Sequence, residues 1–175
     1  MTYSCHIPYF IMALQEKEMN YMKYEIVNVE KKVISGIGIV TTNKNGKSMK
    51  DIGAIWEKLI AEDLFNEISQ PLSSKGFALY TDYEGDYTKP YYFLAGREVK
   101  DAKINIEKGF EFREIPKGKY AKFTVVGHPQ KAVLEVWDYI WKENLDRKYS
   151  CDFEVYHHDS ADIENQTIDV YISLN

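Results

Sequence analysis

The chain has 175 residues, enough for one domain with a substantial core. Its net charge is −5, and basic residues such as Lys44, Lys47, Lys50, Lys58 and Lys75 are scattered, which argues against the clustered basic face of a duplex-DNA binder. The two cysteines, Cys5 and Cys151, lack the spacing of a disulfide framework or a zinc motif, and no apolar run reaches the ~20 residues that span a bilayer, so a cytoplasmic setting is expected.

Residues 1–22 contain a short apolar stretch, Ile7 to Leu14, without a basic n-region or an A-x-A-like cleavage site. They read as a leader and not as a signal peptide, with the domain proper over 23–175. Val33 to Thr42 reads as extended. In Ile52-Gly-Ala-Ile-Trp-Glu-Lys-Leu59 the apolar residues fall at i, i+3, i+4 and i+7, the pattern of an amphipathic helix. Ser48 with Asp51 three residues on predicts a capping box at its start. A strand, Phe77-Ala-Leu-Tyr80, follows, then a polar turn and a second strand from Tyr91 to Val99. After a polar connector, Asp101 to Gly109, the order recurs. Lys119 to Gly127 is extended, and Val133-Leu-Glu-Val-Trp-Asp-Tyr-Ile140 is helical, with Pro129 suited to a first helical position. Phe153-Glu-Val-Tyr156 and Ile168 to Leu174 are the closing strands.

The unit is therefore β-α-β-β, repeated after about 80 residues, which is too long for a solenoid. The two copies, about 24–100 and 110–175, predict an α+β fold in which a pseudo-symmetric pair shares one sheet. The short connector argues for one fused domain.

Alternation sends Phe153 and Val155 to one face of their strand and Glu154 and Tyr156 to the other; Phe77 and Leu79, against Ala78 and Tyr80, divide in the same way. The helices are expected on the Phe/Val face, with Tyr80, Glu154 and Tyr156 on the opposite side. In the last strand Asp169, Tyr171 and Ser173 are expected to share that opposite side. An unpaired carboxylate costs several kcal/mol to bury. A groove of aromatic rings around one carboxylate is complementary to a lipophilic cation, each cation–π contact adding roughly 0.5–2 kcal/mol. The alternative is a solvated sheet face with ordinary outward polar residues.

Other motifs carry less. Gly46-Lys47-Ser48 resembles the end of a phosphate-binding loop, but Thr41 stands where the first glycine belongs. His157 and His158 are adjacent on a strand and point to opposite faces, so no metal site is expected. His128 reads as a helix-entry residue, and no Ser or Cys has a nucleophile context such as G-x-S-x-G. No cofactor is expected.

Six ordered segments carry a resemblance: Tyr24-Glu-Ile-Val27, Ile52-Gly-Ala-Ile-Trp56, Leu79-Tyr-Thr-Asp-Tyr83, Pro116-Lys-Gly-Lys-Tyr120, Phe153-Glu-Val-Tyr156 and Asp169-Val-Tyr-Ile172. In these the chain resembles the GyrI-like effector-binding family, also found attached to multidrug-sensing regulators of transcription. Gly127-His-Pro-Gln130 ahead of Trp137 is most similar to its integron-associated branch. The resemblance implies a curved antiparallel sheet with helices on one side and an aromatic ligand cleft on the other. It places a central Glu, here Glu154, against cationic drugs or dyes, with Tyr80, Tyr91, Tyr156, Tyr171, Trp56 and Trp137 as the aromatic cage. About twenty residues ahead of the domain are too few for a helix-turn-helix, so a stand-alone binder without its own DNA-binding module is expected. Two further activities are implied by relatives. One is hydrolysis of strained, cyclopropane-containing toxins with Glu154 as general base; the other is binding to a partner protein, as in gyrase inhibition.

Overall fold

In a computed structural model, residues 22–175 are described. The leader over 1–22 lies almost wholly outside them. Eight strands, β1 (Tyr24–Val29), β2 (Lys32–Thr41), β3 (Gly76–Thr81), β4 (Tyr91–Glu98), β5 (Glu111–Ile115), β6 (Gly118–Gly127), β7 (Cys151–Tyr156) and β8 (Gln166–Ser173), form one sheet. Its order is β1-β6-β8-β7-β3-β4-β2-β5, antiparallel throughout. Two long helices, α1 (Lys47–Ala61) and α4 (Pro129–Lys142), flank two short ones, α2 (Leu64–Glu67) and α3 (Lys103–Glu107).

The order is palindromic about the β3–β7 pair, with β4 matching β8, β2 matching β6 and β5 matching β1. The repeat read from the sequence is thus β2-α1-β3-β4 and β6-α4-β7-β8. Each copy donates one extra strand to the outer edge of the other half: β1 pairs with β6, and β5 with β2. These edge strands have no counterpart in the sequence reading, and α3 occupies the segment read as plain connector.

The exchange forces curvature. β1 and β2 are six places apart in the sheet, ~29 Å if it were flat, yet only Glu30 and Lys31 join them. Three Cα steps reach at most ~11 Å. The sheet must curl until its two ends nearly meet. Curling brings β2 and β4 so close at the Gly36–Gly96 pair that a Cβ on Gly36 would lie 1.9 Å from the Ala95 carbonyl oxygen. Only glycine fits there.

Curling also buries both sheet faces, and this corrects the expected arrangement. Phe77, Leu79, Phe153 and Val155 do not receive the helices; with Leu94, Ile115 and Tyr120 they fill the inside of the curl. Both long helices cover the other face, where Val136, Trp137 and Ile140 of α4 and Leu59 of α1 pack with Ala78, Tyr80, Phe93 and Val170. The Glu154 side chain lies on this face, since its register partners are Ala78 and Val170. Glu154 and Tyr80, expected on the side away from the helices, therefore lie beneath them.

The helix starts are mixed. Pro129 stands at the start of α4 as expected. The capping box at Ser48 does not form: α1 is capped by Gly46 at φ 67°, and Asp51 accepts hydrogen bonds from Thr41 Oγ1 at 2.6 Å and from Lys47 Nζ. Glycine suits that left-handed position.

Candidate ligand site

The pseudo-twofold axis passes between Ala78 and Glu154, which face each other across the central β3–β7 pair and occupy matching repeat positions. The aromatic side chains nearest to them are duplicated. Tyr80 in β3 and Tyr156 in β7 are repeat mates, as are Trp56 in α1 and Trp137 in α4. The inner frame of two Tyr and two Trp is thus symmetric, with a carboxylate where the first half has a methyl group.

The frame closes on that carboxylate. Tyr80 Oη donates to Glu154 Oε1 at 2.8 Å, Trp137 Nε1 donates to the same oxygen at 2.6 Å, and Tyr156 Oη donates to Oε2 at 2.6 Å. Trp56 packs edge-on against Tyr156, with centroids 5.3 Å apart, and Trp137 packs against Tyr80 at 5.0 Å. Tyr91 forms the next layer, 5.8 Å from Tyr80, with its hydroxyl on Asn43 Oδ1. Small residues make this possible. Ala78 stands beside Glu154 in β3 and Ala95 beside Ala78 in β4, and both leave room above the sheet for rings.

Six of the seven expected site residues come together here. Tyr171 does not. Its register partner is Phe153, on which it stacks inside the curl at 4.3 Å and 7°, on the far side of the sheet from Glu154. The misplacement follows from assigning the helices to the wrong face, because Ile168, Val170 and Ile172 share the face of Glu154.

Glu154 is 1% exposed. Burial pushes its carboxyl above the ordinary range, opposed by the three donated hydrogen bonds, and burial also drives the Tyr80 and Tyr156 hydroxyls well up. A carboxyl whose folded pKa is raised stabilises the fold fully below its unfolded value near 4.5, and that stability is lost as pH rises through the folded value. Glu154→Gln removes the titration. The expected result is that the variant gains on wild type in urea unfolding as pH rises from 5 to 8, by at most about 1.4 kcal/mol per pH unit. A difference that is flat across this range would refute the assignment.

Alternation also brings in Asp152, which the sequence reading passed over although it lies two residues from Glu154 on the same strand face. It is 0% exposed and fully engaged. Arg147 Nη2 meets Oδ2 at 2.6 Å and Tyr83 Oη donates to it at 2.9 Å, while the Ser173 amide and hydroxyl donate to Oδ1. The guanidinium in turn lies over Tyr149 at 4.4 Å and 5.9 Å from the Trp137 ring. Of two neighbouring buried carboxylates, Asp152 has its counter-ion and Glu154 has three neutral donors.

α1 packs chiefly on β2 and β4, and α4 on β6 and β8, so the central strands lie beneath the gap between them. The inner residues Ile52, Ile55 and Trp56 of α1 remain only half-buried, as does Tyr156.

The minor motifs resolve as structure. Lys47 is committed to Asp51, His157 Nε2 contacts Asp169 at 2.8 Å, and His158 packs edge-on to Phe65. Among the described residues no group of three or more His, Cys, Asp or Glu is placed to hold a metal ion, and no helix is long and apolar enough to cross a membrane.

Residues 25–174 match the family described as integron-associated effector binding protein. The chain belongs to this family. Among solved structures, an integron cassette protein from the mobile metagenome of Vibrio cholerae is 25% identical, with a TM-score of 0.68 over 87% of this chain and 95% of that one. SAV2435, solved bound to tetraphenylphosphonium, is 17% identical, with a TM-score of 0.71 over 88% of this chain and 94% of that one. A putative transcription regulation protein from Staphylococcus aureus is 18% identical, with a TM-score of 0.66 over 87% and 97%. Among curated protein sequences none matches the chain. The last two likenesses are of fold.

Proposed function

We propose that this effector-binding protein takes hydrophobic, aromatic monocations into the frame around Glu154. The observation that carries this reading is the carboxylate itself. It is buried, has no cationic partner among the described residues, and is ringed by Trp and Tyr faces. A desolvated carboxylate without a counter-ion is costly, and a cation entering between Trp56 and Tyr156 would supply the missing charge while gaining cation–π contacts. That a structure of the same fold holds tetraphenylphosphonium agrees with this ligand class. Entry requires the Trp56 and Tyr156 rings to part, which the half-buried α1 face permits at little cost in packing. Duplex DNA is outside this reading, given the net charge of −5.

Quenching of tryptophan fluorescence, to which Trp56 and Trp137 contribute, provides the test. Wild-type protein should bind tetraphenylphosphonium more tightly than an uncharged triphenylphosphine oxide, and affinity for the cation alone should rise with pH as Glu154 ionises. Tyr156→Ala should weaken both compounds by about tenfold, because ring contact serves each. Equal affinity for the two compounds at all pH values would overturn the reading.

A further inference from the structure

The two long helices stand well apart on the sheet. α1 packs chiefly on β2 and β4 and α4 on β6 and β8. The centres of those strand pairs are four places apart in the strand order, ~19 Å in a flat sheet. Helices in contact lie only about 8–10 Å apart. Both helices also ride on the outside of the curl, which widens the spacing further. A trough therefore runs between them above β3 and β7.

The walls of this trough are apolar and exposed. Trp56 and Trp137 point toward it, since they meet Tyr156 of β7 and Tyr80 of β3. Residues three, four or seven places along a helix share one flank. On the flank of Trp56 these include Met49 and Ile60, 64% and 74% exposed; on that of Trp137 they include Leu134 and Trp141, 51% and 43% exposed. The two long helices carry no other exposed large hydrophobic residue, so all of them sit on the trough side. Single exposed apolar residues are ordinary; two facing rows of them form a lined surface. Trp141 ties that surface to the Glu154 frame. It packs on Trp137 with centroids 6.2 Å apart, and Trp137 donates to Glu154. Trp141 also stacks on Tyr87, at 6.1 Å and 18°.

We infer that the trough seats the alkyl tail of an amphiphilic cation whose charged aromatic head lies in the Glu154 frame. The inference rests on the proposed cation site and narrows its ligand class to aromatic monocations that carry one long saturated chain. Continuity with the frame and the chemistry of the walls select this occupant. The flank from Met49 to Ile60, at about 1.5 Å per residue, is ~16 Å long, which suits a long chain and exceeds any compact head. A saturated chain needs no hydrogen-bond partner, and Met49, Ile60 and Leu134 offer none. Covering these side chains removes apolar area from water on both partners, so affinity should grow with chain length. A compact cation such as tetraphenylphosphonium would use the frame and leave the trough uncovered.

Calorimetric titration of the full chain with butylpyridinium and dodecylpyridinium, both below micelle-forming concentrations, reads head and tail separately. Wild type should bind the dodecyl compound about a hundredfold more tightly, less than full burial of the added methylenes would give, because the trough is open on one side. The triple substitution Ile60→Gln, Leu134→Gln and Trp141→Gln should cut that ratio to about tenfold or less and leave butylpyridinium within about twofold. All three side chains are exposed, so the variant should fold, as circular dichroism would verify. Leu134→Gln alone should lower the ratio by about threefold. Glu154→Gln should weaken both compounds by the same factor. Equal affinity of wild type for the two compounds, or an undiminished ratio in the triple variant, would overturn the inference and leave the Glu154 frame standing. Unchanged affinity of both compounds in Glu154→Gln would instead overturn the cation site on which the inference rests. A wild type that sediments as a dimer, with the triple variant a monomer, would also overturn it, by assigning the trough to a second copy of the chain.

Discussion

Glu154→Gln is expected to weaken binding of tetraphenylphosphonium by about tenfold to a hundredfold while leaving triphenylphosphine oxide within about twofold. The substitution keeps the side chain's size. Its amide oxygen can still accept from Trp137 and Tyr80, and its amide nitrogen can donate to Tyr156, so the three hydrogen-bonded positions remain filled. What disappears is the charge. At an effective dielectric near 20, a pair about 4 Å apart interacts by about 4 kcal/mol before desolvation is subtracted. The tetraphenyl cation buries its charge behind rings, so the net loss should be smaller, about 1–3 kcal/mol. The variant should also flatten the pH dependence of cation binding, because the rise with pH comes from Glu154 losing its proton. The apo protein should meanwhile become more stable at high pH. Opposite signs for stability and affinity are the signature of a functional buried charge, and fluorescence titration beside urea unfolding would measure both. Equal losses for cation and oxide would remove Glu154 as the counter-ion.

Much of this site could be read from the sequence because the repeat is legible twice. Tyr80 and Tyr156 fall at matching strand positions, Trp56 and Trp137 at matching helix positions, and Glu154 stands out against Ala78. What could not be read was which face the helices would cover. By local pattern alone, the more apolar face of a strand is the one that receives the helix. That rule fails when a sheet curls enough to bury both faces. The curl depends on β1 and β5 crossing to the opposite half, a pairing at long sequence separation with little local signal. Tyr24 and Ile26 on β1, for example, are exposed and give no core pattern. Tyr171 was assigned to the wrong face for this reason. Asp152 and Arg147 were missed for another: a buried ion pair is visible only once the loop before β7 brings Arg147 over the sheet.

That pair carries the largest stability effect expected in the molecule. Arg147→Met should destabilise the fold by about 3–5 kcal/mol, the cost of leaving one member of a buried pair without its partner. The Arg147 side chain is 5% exposed and that of Asp152 is 0%, so water cannot readily replace the guanidinium. Tyr83 and the two Ser173 groups would remain as donors, and they satisfy hydrogen bonding but not charge. Methionine keeps much of the stem's apolar volume against Tyr149 and Trp137, which separates lost charge from lost packing. Adding Asp152→Asn in the same chain should recover most of the stability, since two neutral groups then face each other. Function should follow a different course. With Asp152 unpaired, the site beneath the helices carries a second uncompensated carboxylate, two residues from Glu154. The surviving folded fraction of Arg147→Met should then shift its preference from monocations toward dications, and the double variant should return it. Urea unfolding of the two variants beside wild type measures the first effect. A loss below about 1 kcal/mol for Arg147→Met would mean that the pair is effectively solvated, as exposed ion pairs are. The contrast between a matched Asp152 and an unmatched Glu154 would then no longer support the proposed preference of the frame for a single positive charge.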